Sequence, residues 1–239
     1  MTHTLVIAKR ELTSFFYSPV AYLVLGLFGF ATSWIFAGTF SPGAPAAMRD
    51  TFFMVVWLMI FLVPAISMRL ISDEIRNGTI ESLMTSPVND AQVILGKWLG
   101  AMAFLVVLLT PLFIDVIILA FTAQPDWGPI LTGLVGLLLV GGLYLAIGTF
   151  ASAATASQII ALVTTIFIII LLTFVMYFLP QYAWVWDSLR PVIYHLNVNE
   201  QFATFNKGLI DWIAVVYFVS GIALFLFLAT MLLQSKRWR

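Results

Sequence analysis

Residues 157–179 read SQIIALVTTIFIIILLTFVMYFL, an apolar run without one charged side chain. About 20 apolar residues in a helix cross the roughly 30 Å of hydrocarbon in a bilayer. Five further segments meet that requirement, approximately 20–40, 51–70, 98–123, 129–151 and 212–233. The Ile and Leu runs are apolar all round and lack the period-two alternation of barrel strands, so helices are what satisfies the backbone in lipid. Composition agrees: 9% of residues are charged, against about 25% in a soluble domain, and the mean hydropathy is +1.05. The expected fold class is an all-α integral membrane protein with six transmembrane helices in a single domain over 1–239.

A bundle of six spans leaves no room in 239 residues for a separate catalytic domain of about 100–150 residues. The formal net charge of zero gives no reason to expect nucleic acid, and the absence of Cys excludes disulfides, thiolate metal sites and thiol nucleophiles. An intramembrane serine protease needs a G-x-S-type nucleophile and a histidine within a span. Here Phe218 stands where the glycine before Ser220 belongs, and the two histidines, His3 and His195, lie outside the spans. No catalytic residue, cofactor or metal is expected in the chain.

With the N-terminus inside, eight of the 11 Lys and Arg fall on cytoplasmic segments, and Arg49, Arg190 and Lys207 fall outside. The positive-inside rule therefore places both termini in the cytoplasm. The first apolar run is about twice a signal-peptide core and no A-x-A site follows it, so it reads as a retained span. Ahead of it, HTLVIAKRELTSFFYSP sets Leu5, Ala8, Leu12, Phe15 and Phe16 near one helical face. Residues 1–18 read either as an amphipathic helix lying in the inner interface, with Pro19 as the bend into the membrane, or as a frayed terminus. On the outer side, 180–211 mixes Trp184, Trp186, Tyr182, Tyr194, Phe202 and Phe205 with a few charges. That fits short helices at or dipping into the interface, either capping a pathway or forming an aromatic belt.

The largest cytoplasmic connection is SDEIRNGTIESLMTSPVNDAQVILGKW, residues 72–98. Arg69 and Asp73 are spaced for an i,i+4 ion pair, and Asn77-Gly78 supplies residues that end a helix in the left-handed conformation. Thr79 can cap a short helix with Glu81 in its first turn and Ile80, Leu83 and Met84 on one face, closed by Ser86-Pro87. Asn89 and Gln92, three apart, make a capping box that opens the third span. The short apolar face either fills a groove of a soluble partner or rests on the bilayer and the protein's own helices.

Arg69-Leu70, Asp73-Glu74, Gly78-Thr79-Ile80-Glu81-Ser82-Leu83, Thr85-Ser86-Pro87 and Gly96-Lys97 together resemble the MR-x-x-x-(D/E)E-x-x-x-GT-(L/I)E-x-L-x-(T/S)-x-P...GK signature of ABC-2 type transporter permeases. SFFYSPVAYLVLGLF at 14–28 and the stretch 205–238 resemble the GldF-like, gliding-motility-associated branch. The resemblance implies an exporter-type permease subunit of a bacterial inner membrane that dimerises with a second copy or a related permease. It implies two copies of a separate cytoplasmic ATPase, which bind ATP and Mg, and an auxiliary GldG-like membrane-anchored subunit. It assigns Asp73, Glu74, Arg76, Gly78, Thr79, Ile80, Glu81 and Leu83 to the ATPase-coupling segment, 72–90, and matches outer re-entrant helices to 180–211.

Gly96-Lys97 is the only Gly-Lys pair, but Trp98 follows it and Ala91 occupies the first glycine position of a Walker A loop, so it is no phosphate site. Lys97 is expected to snorkel to the inner headgroups beside a Gly96-x-x-x-Gly100 helix contact. Asp115 is the one acid well inside a span, just after a kink expected at Pro111. It either lines the pathway, binds a neighbour across a dimer or sits near the outer interface. An ion-coupled secondary transporter resting on Asp115, or an envelope scaffold that transmits force without moving a solute, are the rival readings.

Overall fold

The computed structural model of the protein describes residues 2–39, 47–78, 89–179 and 190–237, and the regular structure among them is entirely helical. Helix α1 (Thr2–Phe16) precedes the first span, α2 (Pro19–Thr39), which starts on Pro19, where a missing N–H costs nothing. The second span is α3 (Arg49–Ser67), continued after a break by α4 (Ser72–Arg76). The third is α5 (Asp90–Leu108) and α6 (Thr110–Thr122), the fourth α7 (Trp127–Ala154). The fifth joins α8 (Gln158–Ile170), a π-helical turn (Leu171–Val175) and α9 (Met176–Phe178). Short helices α10 (Arg190–Leu196) and α11 (Val198–Asn206) lead to the last span, α12 (Trp212–Arg237). Six helices are thus long and apolar enough to cross a membrane.

Helix α7 is the axis of the bundle: it packs against α3, α5, α8, α11 and α12. In its most apolar window 67% of the residues are buried, against 22–28% in α2, α8 and α12, which leaves those three as the peripheral spans. Hydrophobicity alone drives little association between helices in lipid, so close approach depends on small residues. A Cβ on Gly133 would meet Phe52 at 2.5 Å, one on Gly136 would meet Phe205 at 2.8 Å, and one on Gly148 would collide with Ser67.

Several local expectations hold. Gly78 ends the α4 segment with φ of 69°. Asn89 accepts from the Ala91 N–H while Gln92 accepts from the Asn89 N–H, each at 3.3 Å, completing the capping box. The third span breaks at Leu109, with Pro111 in the first turn of α6. The short helix expected at 79–88, with Thr79, Ile80, Glu81 and Leu83, lies outside the described residues, as do Tyr182, Trp184 and Trp186.

The face of α1 is the expected one except at Leu5, which is 64% exposed. Ala8, Leu12, Phe15 and Phe16 pack inward, joined by Thr4, Ile7 and Glu11. Gly96 and Gly100 form the packing cleft that receives α1. A Cβ on Gly96 would lie 2.8 Å from Ile7 and one on Gly100 2.7 Å from Glu11.

Candidate functional site

Where α1, the α3–α4 junction and α5 converge, the chain buries a cluster of charges. Lys97, on α5, is 2% exposed. Its Nζ donates to the Leu70 carbonyl at 2.6 Å, to Glu74 Oε1 at 2.9 Å and to Glu11 Oε2 at 3.2 Å. This corrects the expectation that Lys97 snorkels. A headgroup would offer it phosphate at the cost of stretching outward, whereas two carboxylates and a carbonyl in the turn between α3 and α4 already give its three N–H groups partners. Arg10 on α1 reaches the same Glu74 oxygen at 3.4 Å. The cluster surrounds a cavity of about 360 Å³ lined by Arg10, Glu11, Ser14, Arg69, Leu70, Asp73, Glu74 and Lys97. Its cations and carboxylates balance, so the arrangement acts as a clamp between helices rather than as an ion trap.

Asp73 binds the opposite side. Its Oδ1 accepts from Gln158 Nε2 at the start of α8, and Arg76 lies 3.8 Å away. The expected Arg69–Asp73 pair is not formed: Arg69 donates to Ser18 Oγ at 2.6 Å and its guanidinium lies 5.0 Å from the Phe15 ring centre. An aromatic face and a hydroxyl between α1 and α2 hold the planar cation there. The break between α3 and α4 is capped from α7, since Ser152 Oγ accepts from the N–H groups of Ile71 and Ser72 at 2.9 Å each and donates to the Met68 carbonyl at 3.0 Å. Of the eight residues assigned to coupling, Asp73, Glu74 and Arg76 thus sit in a network joining α1, α4, α5 and α8, and Gly78 turns the chain just beyond it.

Glu11, Arg10, Ser152 and Gln158 were not singled out from sequence. The available signal was Lys97 itself, because a lysine within a span demands a buried acceptor, and Glu11 is the one acid in the first 49 residues.

Two polar features lie away from the clamp. Asp115 is 2% exposed and hydrogen-bonds Ser33 on α2, while its Oδ2 has no partner. At the other, α11 enters the bundle with its amino end buried. Asn199 Nδ2 donates to the Thr173 carbonyl in the π-helical turn at 3.4 Å, and the hydroxyls of Thr173 and Tyr144 are 3.0 Å apart. The contact was invisible in sequence because no residue type marks a π-turn. On α10 the Tyr194 phenol titrates above its ordinary value, chiefly through its hydrogen bond to Glu200 and then through partial burial.

A family model described as "ABC-2 family transporter protein" matches residues 36–238. No curated protein matches the chain.

Proposed function

This chain belongs to the ABC-2 transporter family, and on that premise we propose how it is coupled to ATP. Members of the family are membrane transport components that generally partner with a cytoplasmic ATPase, and the chain is a permease component of that kind. In our reading it is an exporter-type subunit of the GldF-like branch in a bacterial inner membrane, with both termini cytoplasmic. It pairs with a second permease and receives two ATPase copies on 72–90, with ATP and Mg held by the ATPase and a GldG-like subunit alongside.

The observation that carries the reading is the clamp on Lys97. The segment that would meet the ATPase begins one turn beyond Glu74, and Glu74 shares Lys97 with Glu11 on α1. A push on 79–88 therefore reaches α1 and α5 through buried ion pairs, and reaches α7 through Ser152. Thr79, Ile80, Glu81 and Leu83 form the docking face in this scheme, with Gly78 aiming it. Association is tested by co-purifying tagged Gly78→Pro and Glu81→Lys variants with the ATPase. Both are expected to lose the ATPase and its stimulated hydrolysis, and intact association in both would sink the assignment.

Asp115 is the candidate pathway group, favoured by its buried carboxylate oxygen without a partner beside the α5–α6 break. Asp115→Asn, which keeps the Ser33 hydrogen bond, should retain more transport-stimulated hydrolysis than Asp115→Leu. Equal activities would remove Asp115 from the pathway.

A further inference from the structure

Helix α1 divides into three faces at 100° per residue. Thr4, Ile7, Ala8, Glu11 and Phe15 turn to the bundle, and Leu12 and Phe16 pack against its core beside them; Leu5 and Val6 are exposed; and His3, Lys9, Arg10, Thr13, Ser14 and Tyr17 face outward. The outward face contains a shallow hollow of about 650 Å³ lined by Val6, Lys9, Arg10, Thr13, Ser14 and Tyr17. Its chemistry is one-sided. It holds two cations and three hydroxyls and no carboxylate, because the one acid of α1, Glu11, is turned inward onto Lys97.

The geometry points to a binding site for the phosphate headgroup of an anionic phospholipid in this hollow. Cations and hydroxyl donors on one wall are what a phosphodiester requires. The Thr13 hydroxyl donates to the Lys9 carbonyl at 2.8 Å, so Lys9, Arg10, Ser14 and Tyr17 carry the donor role. A lipid rather than free phosphate is specified by the neighbouring surface. Leu5 and Val6, 64% and 67% exposed, give the hollow an apolar edge on which acyl chains would lie, and α1 leads directly into the first span at Pro19.

The site reaches the clamp through one residue. Arg10 lines both the hollow and the charged cavity and is 62% exposed while touching Glu74 at 3.4 Å. A bound phosphate draws that guanidinium from Glu74 and leaves Lys97 as its main partner, so anionic lipid would loosen the outer edge of the clamp. Lipid binding stands apart from ATPase coupling and is measured on the permease alone.

The test is native mass spectrometry of the purified full-length chain titrated with dioleoylphosphatidylglycerol or dioleoylphosphatidylcholine. Wild type should retain phosphatidylglycerol selectively. A basic side chain near an anionic surface contributes about fivefold, so Lys9→Gln should weaken retention about fivefold and Lys9→Gln/Arg10→Gln roughly thirtyfold. Arg49→Gln/Lys207→Gln, which removes the same charge elsewhere, should leave retention unchanged. The site is refuted by equal retention of the two lipids, by equal loss in both double variants, or by displacement of phosphatidylglycerol by equimolar inorganic phosphate.

Discussion

Replacing Lys97 by Met keeps the length of the side chain and removes its charge. The Lys97 side chain is 3% exposed, and those of Glu11 and Glu74 are 14% and 17% exposed, so the pairs belong to the buried class. Removing one partner of a buried pair costs about 3–5 kcal/mol, because the charge left behind has lost its compensation. Glu74 would keep Arg10, but that contact is exposed and worth at most about 1 kcal/mol. Glu11 would keep no ion pair among the described residues, so a loss of about 3 kcal/mol is expected. For a chain of this size that corresponds to roughly 6–12 °C in apparent Tm. The eight tryptophans of the chain give a direct fluorescence melt in detergent. The decisive comparison is the triple variant Lys97→Met/Glu11→Gln/Glu74→Gln, which leaves neither buried carboxylate unpaired, frees only the exposed Arg10, and should melt well above Lys97→Met alone. The reasoning fails if Lys97→Met melts with wild type, or if the triple variant adds the separate losses to within about 0.5 kcal/mol.

Other parts of the account are open to similar tests. Ser152→Ala removes the cap on two backbone N–H groups at the α3–α4 break, and about 1–3 kcal/mol of stability should go with it, read as a lowered Tm. Gly100→Ala brings a Cβ to 2.7 Å from Glu11 and 2.8 Å from the Ala8 carbonyl, whereas Gly26 has nothing within 4 Å. A cysteine placed at Ile7 in this Cys-free chain should therefore label faster with Gly100→Ala and at the original rate with Gly26→Ala. Thr173→Val breaks the contact with Tyr144 at 3.0 Å, so a cysteine at Val198 should become more reactive to an impermeant outer reagent. Unchanged labelling would show that the π-turn does not hold α11.

Much of the fold was legible because each of its signals is local. Hydropathy marks six spans, a capping box spans only Asn89 to Gln92, and the turn at Gly78 follows from a conformation that side chains resist. Partner choice is not local. Glu11 and Lys97 are 86 residues apart, and nothing in an all-apolar helix says which side faces a neighbour. That is why Lys97 was expected to reach toward headgroups, and why Leu5 was assigned to a face that Ile7 and Glu11 occupy. Arg69 shows the same limit: i,i+4 spacing made Asp73 its natural partner, but Phe15 and Ser18, brought near only by the packing of α1 and α2, hold it instead.

The central claim is that an ATPase engages the loop beyond Gly78 and acts through the Lys97 clamp. The most direct measurement is ATP hydrolysis by the reconstituted permease–ATPase complex, comparing wild type, Lys97→Met and the triple variant. The account predicts that both variants co-purify with the ATPase, because the docking face is untouched, but lose permease-dependent stimulation, because in neither does Lys97 on α5 tie Glu11 on α1 to Glu74 on α4. Full stimulation in the triple variant would contradict it, since force would then pass without the clamp.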